Sequence, residues 1–448
     1  MSNTATLIKN ALIVTMDKDE RILTKHDLLI ENGVITKVGQ NLNIENKHES
    51  IDASGKIMIP GLINGHTHIA MTLLRGLADD LPLNDWLNQY IWPAEAKFTH
   101  DYVYWGSKLA CWEMAASGTT CFNDMYFFVD DIANATQESG MRGLISFGSI
   151  DFPTPNTSHI TNDKERWDYT LKLNEDFFAQ WKNHSHIHPS YAAHAPYTVS
   201  PKHLEDIAQA AHNHKANIHI HVAETQHETQ LINDTFKQSA TSPTQYLAQL
   251  GFLKEKIVAA HMVWTDQKDL ELIKEYNVGI AHCPKSNLKL GSGYEHNISQ
   301  MRKINIPVSI ATDGTASNNT LNLWNEIQFA SLLPKINDPL QAQAKDIFRM
   351  ATIDGAKALH MDHLIGSIEV GKRADLVLLS QDHANQVPYL DANNIYSRLV
   401  YATQSENVDT VLVNGQCLKK DGQMNNALFD QDQIKHEAVQ IRKTIENL

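Results

Sequence analysis

Residues 60–68 read Pro-Gly-Leu-Ile-Asn-Gly-His-Thr-His, a short apolar run that ends in two histidines. Such a run between glycines is typical of a buried β-strand. Alternate residues of a strand share a face, so His66 and His68 are predicted to point both imidazoles at one ion. An H-x-H pair alone is a weak signal of a metal site, but its position after a buried strand strengthens the signal.

The chain beyond this strand alternates short apolar runs with longer amphipathic stretches, which indicates repeated βα units around a parallel sheet. Eight runs predict an α/β fold of the (β/α)8, or TIM-barrel, type. The active site of such a barrel lies at the C-terminal ends of its strands. The predicted strands are residues 57–64, 119–123, 142–147, 187–193, 217–222, 256–260, 278–281 and 306–311.

The two ends of the chain share a different pattern, of short strands with hairpin signals such as Asn32-Gly33 and Asn414-Gly415. We therefore expect segments 1–56 and 366–448 to form one small composite β-sandwich. Residues 57–365 are expected to form the catalytic barrel between them.

Composition excludes several classes of protein. The 448 residues carry 38 Lys+Arg against 52 Asp+Glu, a net charge of −14, so no nucleic-acid partner is expected. No stretch approaches about 18 consecutive apolar residues, so no membrane span is expected. The N-terminus lacks a secretory signal pattern, and the four cysteines form no C-x-x-C pair. These features predict a cytoplasmic protein with reduced cysteines.

Histidine accounts for 23 residues, and several follow predicted barrel strands. The fourth strand ends near His194, and the sixth ends near His261. The fifth contains His219 and His221 on one face. Because His221 lies nearer the C-terminal end, it is the preferred ligand, and His219 is expected to be a hydrogen-bonded residue of the barrel interior. His282, after the seventh strand, stays an open candidate.

Two carboxylates complete this set. Glu224 lies three residues after His221, and Asp313 directly follows the eighth strand. A buried carboxylate is costly unless a cation or a histidine lies beside it; the alternative for Asp313 is a helix N-cap. Three histidines with one carboxylate match the preference of zinc and leave a position for water. The lack of C-x-x-C separates this pattern from the cysteine-ligated zinc deaminases.

On these residues the chain resembles the amidohydrolase superfamily. The motif at 60–68, segments 221–224, 312–314 and 366–375, and His261 occur in order over nearly the whole chain. Within the superfamily the sequence is most similar to the 5′-methylthioadenosine/S-adenosylhomocysteine deaminases. Triazine chlorohydrolases and other purine deaminases share much of the pattern. The stretches that carry the closer similarity are 73–77, 84–87, 91–95, 122–126, 194–197 and 317–319.

The resemblance implies the chemistry. One Zn²⁺ per subunit would be held by His66, His68, His221 and Asp313. Asp313 would also take a proton from the attacking water, and His261 would contact that water and the developing oxyanion. Glu224 would carry a proton to ring N1 of adenine. The implied reaction is hydrolytic deamination of an adenine nucleoside, with 5′-methylthioadenosine expected first, and adenosine and S-adenosylhomocysteine as further candidates.

The resemblance also implies substrate contacts. Glu95 would bind the ribose hydroxyls, His194 the purine edge, and Trp86 the 5′-substituent, while Arg166 would meet a homocysteine carboxylate. The alternatives are a core aromatic for Trp86, a solvated helix residue for Glu95 and a surface charge for Arg166. A second arginine of some family members is replaced near Phe147, which favours an uncharged 5′-group.

Two other functions stay open at this point. A triazine-type hydrolase would keep the metal chemistry but have no use for Glu95. A non-catalytic barrel scaffold would have no reason to keep the metal set together. A small-molecule substrate is expected in either enzymatic case, and the family predicts a homo-oligomer.

Overall fold

A computed structural model describes residues 5–45, 48–294, 297–388 and 392–446. Its strands form two sheets, one of eight parallel strands and one of nine strands in mixed orientation. The eight-stranded sheet is the predicted (β/α)8 barrel, with neighbours in chain order. Its strands, numbered one to eight below, are Leu62–Thr67, Thr119–Tyr126, Arg142–Phe147, Ile187–Ala193, Asn217–Val222, Lys256–His261, Gly279–His282 and Val308–Ile310.

The first predicted strand, 57–64, is wrong as one element. It is two strands, Lys56–Pro60 in the nine-stranded sheet and Leu62–Thr67 in the barrel, with Gly61 between them. A Cβ atom on Gly61 would lie 2.0 Å from Oγ1 of Thr120. Glycine therefore lets the chain pass close to the second barrel strand as it leaves one sheet and enters the other.

Strands one and eight, the two ends of the barrel order, are joined by side chains. The Asn64 amide donates to Oγ1 of Thr312 at 2.7 Å, and the Thr312 N–H donates to Oδ1 of Asn64 at 3.0 Å. The backbone N–H of Asp313 donates to the carbonyl of His66 at 3.1 Å. This joint brings the end of the eighth strand beside the two histidines of the first.

The nine-stranded sheet combines both ends of the chain, as predicted. It curls around one apolar core, and Ile35 donates to the carbonyl of Lys372 at 2.9 Å across the curl. A buried ion pair between Arg142 and Asp375 ties this sheet to the barrel. The limits 1–56, 57–365 and 366–448 remain a prediction. The strands are Ala5–Val14, Ile22–Glu31, Val34–Gly39, His48–Asp52, Lys56–Pro60, Leu376–Ser380, Val408–Val413, Gln416–Lys420 and Gln423–Met424.

Helices alternate with the barrel strands and cover the barrel. Within the described part of the chain, none is long and apolar enough to cross a membrane. The α-helices are Leu83–Trp86, Trp92–Glu95, His100–Ala116, Val129–Glu138, Asp163–Trp181, Pro201–His214, Glu228–Phe236, Pro243–Gln249, Gln267–Glu275, Pro284–Lys289, Asn297–Lys303, Thr315–Asn318, Leu323–Leu332, Ala344–Met350, Ile353–Ala358, Ile395–Ser397 and Gln431–Glu446.

Short helical turns of other types complete the fold. A π-helix, Leu87–Ile91, joins the two short helices that carry Trp86 and Glu95 over the barrel mouth. The second π-helix is Arg398–Ala402, and the 3₁₀ helices are Ile69–Leu74, Phe252–Lys254, Leu333–Ile336, Ala384–Gln386 and Ser405–Asn407.

Candidate active site

Four side chains meet where strands one, five and eight end. Oδ1 of Asp313 lies 3.2 Å from Nε2 of His66 and 3.4 Å from Nε2 of His68. Nε2 of His221 lies 3.4 Å from Nε2 of His68. A tetrahedral zinc ion with bonds of about 2.0–2.1 Å separates its ligand atoms by about 3.3–3.4 Å. The donor atoms of the four side chains therefore fit one zinc ion.

The three histidines are held with Nε2 turned inward. Nδ1 of His68 donates to the carbonyl of Met125 at 2.7 Å, and Nδ1 of His221 donates to the carbonyl of His194 at 2.5 Å. Nδ1 of His66 lies 2.8 Å from Nε2 of His219. Nε2 of His66 is buried and has no hydrogen-bond partner. Such outer contacts orient metal ligands and fix their tautomers, and the orphaned nitrogen is explained by a metal ion.

The charges of the cluster suit a cation. Burial lowers the pKa of His66 to about 3, which leaves its imidazole neutral. Burial alone would raise the pKa of the Asp313 carboxyl, but the surrounding histidines hold it well below its usual range. Hydroxyls of Ser286 and Ser317 donate to Oδ2 of Asp313 at 2.6 and 2.7 Å. Neutral imidazoles and an ionised carboxylate are the states that bind zinc.

His261 and Glu224 lie beside the cluster. Nitrogens of His66, His221 and His261 fall within 4.8 Å of one another. Nε2 of His261 is 3.7 Å from Oε2 of Glu224, and Nδ1 of His261 contacts Oδ1 of Asn287 at 2.9 Å. Burial raises the pKa of the Glu224 carboxyl. A buried carboxyl at this place is suited to hold and transfer a proton.

A cavity of about 260 Å³ extends outward from these groups. Asp313, Glu224, His261 and two of the ligand histidines line its base. Among the predicted substrate contacts, His194, Glu95 and Trp86 also line it. The wall toward the barrel mouth is apolar, and its side chains are Leu83, Trp86, Leu87, Trp92, Phe127, Ile150, Phe152, Pro153 and Pro155.

Glu95 is buried in this wall and not solvated. The hydroxyl of Tyr126 donates to its Oε1 at 2.6 Å. Burial raises the pKa of the Glu95 carboxyl to about 7, although the hydrogen bond from Tyr126 opposes the shift. A carboxylate facing a cavity of this size can accept hydrogen bonds from two neighbouring hydroxyls.

Arg166 is not brought into the cavity lining. Its guanidinium donates to the backbone carbonyls of Asp151 and Ile160, at 3.0 and 3.4 Å, and pairs with Asp163. Arg166 thus lies behind the segment that carries Phe152 and Pro153. Phe147 is buried behind Phe127, with ring centroids 6.4 Å apart. Among the described residues that line the cavity, none is a lysine or an arginine.

Sequence reasoning missed the polar groups that support this site. They are Tyr126 beside Glu95, Ser286 and Ser317 on Asp313, Asn287 on His261, and Ser292, whose hydroxyl donates to Oε1 of Glu224 at 3.1 Å. Tyr126 ends the second barrel strand, a position that could have marked it. His282 is buried and lies beside a separate small cavity with His261 and Asn287.

Comparison with known proteins places the chain in a family. A 5′-deoxyadenosine deaminase of Methanobrevibacter smithii is 41% identical over 452 residues, covering 100% of this chain and 99% of the relative. A 5-methylthioadenosine/S-adenosylhomocysteine deaminase of Thermoanaerobacter pseudethanolicus is 42% identical over 92% of this chain and 93% of its own. The crystal structure of an adenosine deaminase from Xanthomonas campestris with bound zinc superposes with a TM-score of 0.91, at 33% identity over 99% of both chains. The model of the amidohydrolase family matches residues 57–418. With that match and these relatives, the resemblance seen in the sequence is confirmed, and the chain belongs to the amidohydrolase family.

Proposed function

We propose that this protein is a zinc-dependent hydrolytic deaminase of adenine nucleosides that carry an uncharged 5′-group, with 5′-methylthioadenosine as the expected substrate. The products are the inosine analogue and ammonia. The observation that carries the proposal is the cluster of three histidines and Asp313 beside Glu224, at the base of a cavity with an apolar outer wall. The relatives named above act on nucleosides of this class by their names.

Zinc held by His66, His68, His221 and Asp313 would supply Lewis acidity and lower the pKa of a bound water toward about 7. Asp313 is ionised and faces the cavity, so it accepts a proton from the attacking water. Glu224 carries a proton to ring N1, which makes C6 of adenine electrophilic. His261 donates a hydrogen bond to the oxygen that develops negative charge at C6. Ammonia then leaves.

The rest of the cavity matches the rest of a nucleoside. Glu95 accepts hydrogen bonds from the ribose hydroxyls, and His194 contacts the purine edge. The 5′-group then meets the apolar wall that includes Trp86. A homocysteine tail carries a charged carboxylate, which prefers a paired cationic partner, and the described lining offers none. Arg166, our predicted partner for that carboxylate, could serve only if the segment in front of it moved.

A substrate panel tests this proposal. Zinc-loaded enzyme is given 5′-methylthioadenosine, 5′-deoxyadenosine, adenosine and S-adenosylhomocysteine, and ammonia release is followed. We expect kcat/KM for S-adenosylhomocysteine to be at least about 100-fold below that for 5′-methylthioadenosine, a gap of about 2.7 kcal/mol. Equal values for the two would contradict the uncharged-tail assignment. Release of ammonia from none of them would contradict the nucleoside assignment itself.

Two variants separate the remaining alternatives. Glu224→Gln should abolish turnover with zinc still bound, because it removes the proton carrier and leaves the ligands. Glu95→Ala should raise KM for nucleosides strongly. Unchanged kinetics in Glu95→Ala would favour a triazine-type substrate, which has no ribose. A purified protein that contains no zinc and is equally stable with and without chelator would favour a scaffold.

We also propose that the protein acts in the cytoplasm as a homo-oligomer. Cys111, Cys121 and Cys283 are buried free thiols, which suits a reducing compartment. Exposed apolar side chains at Leu332, Ile336 and Leu340 supply surface for contact between copies. Analytical ultracentrifugation of the wild type and of Leu332→Glu/Ile336→Glu would test the oligomer, and a monomeric wild type would contradict it.

A further inference from the structure

Glu228 is a buried carboxyl that the proposed chemistry does not use. It is the first residue of the helix Glu228–Phe236, and it does not line the cavity. Its two oxygens accept three hydrogen bonds from consecutive backbone amides. Oε2 accepts from the N–H of Ala223 at 2.8 Å, and Oε1 accepts from those of Glu224 at 2.6 Å and Thr225 at 3.2 Å.

These bonds do not cap the helix that carries Glu228. The free N–H groups of a helix are those of its own first four residues, whereas Glu228 reaches back to the turn that precedes the helix. Successive amides that converge on one point form an anion-binding concavity. Here the anion is a side chain of the same protein, and the concavity is the turn from which Glu224 projects.

The backbone of this turn would be strained without an anchor. Ala223 has φ of +52°, a left-handed conformation that costs a residue with a Cβ atom about 1–2 kcal/mol. The other side of the same turn is held by the N–H of Trp264, which donates to the carbonyl of Ala223 at 2.9 Å. The turn is therefore clamped between Glu228 and the loop after the sixth strand.

The turn decides where the Glu224 carboxyl lies. Its Oε1 accepts from Ser292 at 3.1 Å, and its Oε2 lies 3.7 Å from His261. Proton transfer requires the carboxyl to be within hydrogen-bond reach of the substrate. A displacement of about 1 Å in such a group can reduce the rate about 100-fold.

We propose that Glu228 is a positioning residue for Glu224. Its carboxylate fixes the 223–225 turn through the three backbone amides and thereby holds the proton-carrying group over the purine ring. This inference rests on the proposed role of Glu224. Glu228 itself touches no substrate and no metal ligand side chain, so its removal acts on the rate of the chemical steps and leaves nucleoside binding intact.

The test is the isosteric variant Glu228→Gln in the full-length zinc-loaded enzyme. The amide keeps one acceptor oxygen and turns an N–H₂ group toward the backbone amides. We expect kcat for 5′-methylthioadenosine to fall by about 10- to 100-fold. KM and the zinc content per chain should stay within about twofold of the wild type. If Glu228→Gln is insoluble, Glu228→Asp decides, because it keeps the charge and withdraws the oxygens; its kcat should fall with KM unchanged.

Asp27→Asn is the matched control. Asp27 is also buried and also accepts from two backbone amides, those of Asn10 and Leu42, both at 2.9 Å, but it lies in the nine-stranded sheet. It should lower the thermal unfolding midpoint and leave kcat unchanged. A kcat for Glu228→Gln equal to that of the wild type, or one that falls only in proportion to the folded fraction as in Asp27→Asn, would overturn the proposal.

Glu224→Gln separates this inference from the function beneath it. If Glu224→Gln is inactive and Glu228→Gln has wild-type kcat, the positioning role is wrong and the deaminase mechanism stands. If Glu224→Gln is fully active, the proposed role of Glu224 is itself wrong, and the inference falls with it.

Discussion

Nδ1 of His66 lies 2.8 Å from Nε2 of His219, so one buried imidazole supports another that faces the metal cluster. The other two ligand histidines are supported by backbone carbonyls, which can only accept. An imidazole can donate or accept. Zinc on Nε2 of His66 requires Nδ1 to carry the proton, and His219 must then present an unprotonated Nε2.

We therefore expect His219→Leu to weaken zinc binding by about 10- to 100-fold, as other losses behind a metal ligand do. The variant leaves the N–H of His66 buried without an acceptor. Competition with a coloured chelator measures the affinity. His360→Leu is the control, since His360 is a half-buried histidine near the N-terminal end of the sixth strand. Unchanged zinc affinity in His219→Leu would contradict the supporting role.

The pKa of Glu95, raised to about 7 by burial, predicts a pH-dependent KM. The ionised carboxylate accepts from ribose hydroxyls and the protonated acid accepts less well, so KM should rise as the pH falls through about 7. The same shift makes the folded state less stable as the pH rises from about 4.5 to about 7, because the folded protein keeps the proton longer than the unfolded chain. Glu95→Gln should flatten both dependences. A wild-type KM that is constant between pH 5.5 and 8.5 would contradict the assignment.

The Arg142–Asp375 pair should matter to stability and not to chemistry. Nε and Nη2 of Arg142 donate to the two carboxylate oxygens at 2.7 and 3.0 Å, and both side chains are buried. Arg142→Met leaves an unpaired buried carboxylate and should lower the free energy of unfolding by about 3–5 kcal/mol. Arg142→Met with Asp375→Leu should recover much of that loss. Urea unfolding measures it, and Lys164→Met, which removes an exposed pair with Asp168, should show no change.

Gly65→Ala tests the barrel interior next to His66. A Cβ atom on Gly65 would lie 2.6 Å from both Cβ and Oγ of Ser309. The overlap should cost about 1–3 kcal/mol and displace the ligand histidines, so both the unfolding midpoint and the zinc affinity should fall. Adding Ser309→Gly removes the nearest atoms and should restore part of each. A double variant no better than Gly65→Ala would show that the strain lies elsewhere.

Much of the fold could be predicted because period and length mark buried strands well. Three predicted strands, 142–147, 187–193 and 217–222, agree with the structure at both ends. The strand at 57–64 could not be divided from its pattern, since the break at Gly61 depends on a contact with Thr120 from the next strand. Strand ends also brought the histidines together, because a barrel collects them at one mouth.

The supporting groups could not be predicted, because loop conformations place them. Ala223, His261 and Asp313 all have positive φ, which no apolar pattern encodes. Ser286, Asn287 and Ser292 come from the segment after the seventh strand, and its course is set by contacts with those turns. The position of Arg166 depends likewise on the path of residues 151–160.

The joint between the first and last barrel strands has a consequence for biosynthesis. His66 and His68 lie on one side of it and Asp313 on the other, so the ligand set spans nearly the whole barrel. A nascent chain carries the first two ligands from early in translation but cannot complete the tetrahedral site until its final barrel strand has left the ribosome. Tight capture of zinc therefore waits for the end of synthesis, and metal content then reports how many chains have closed their barrel.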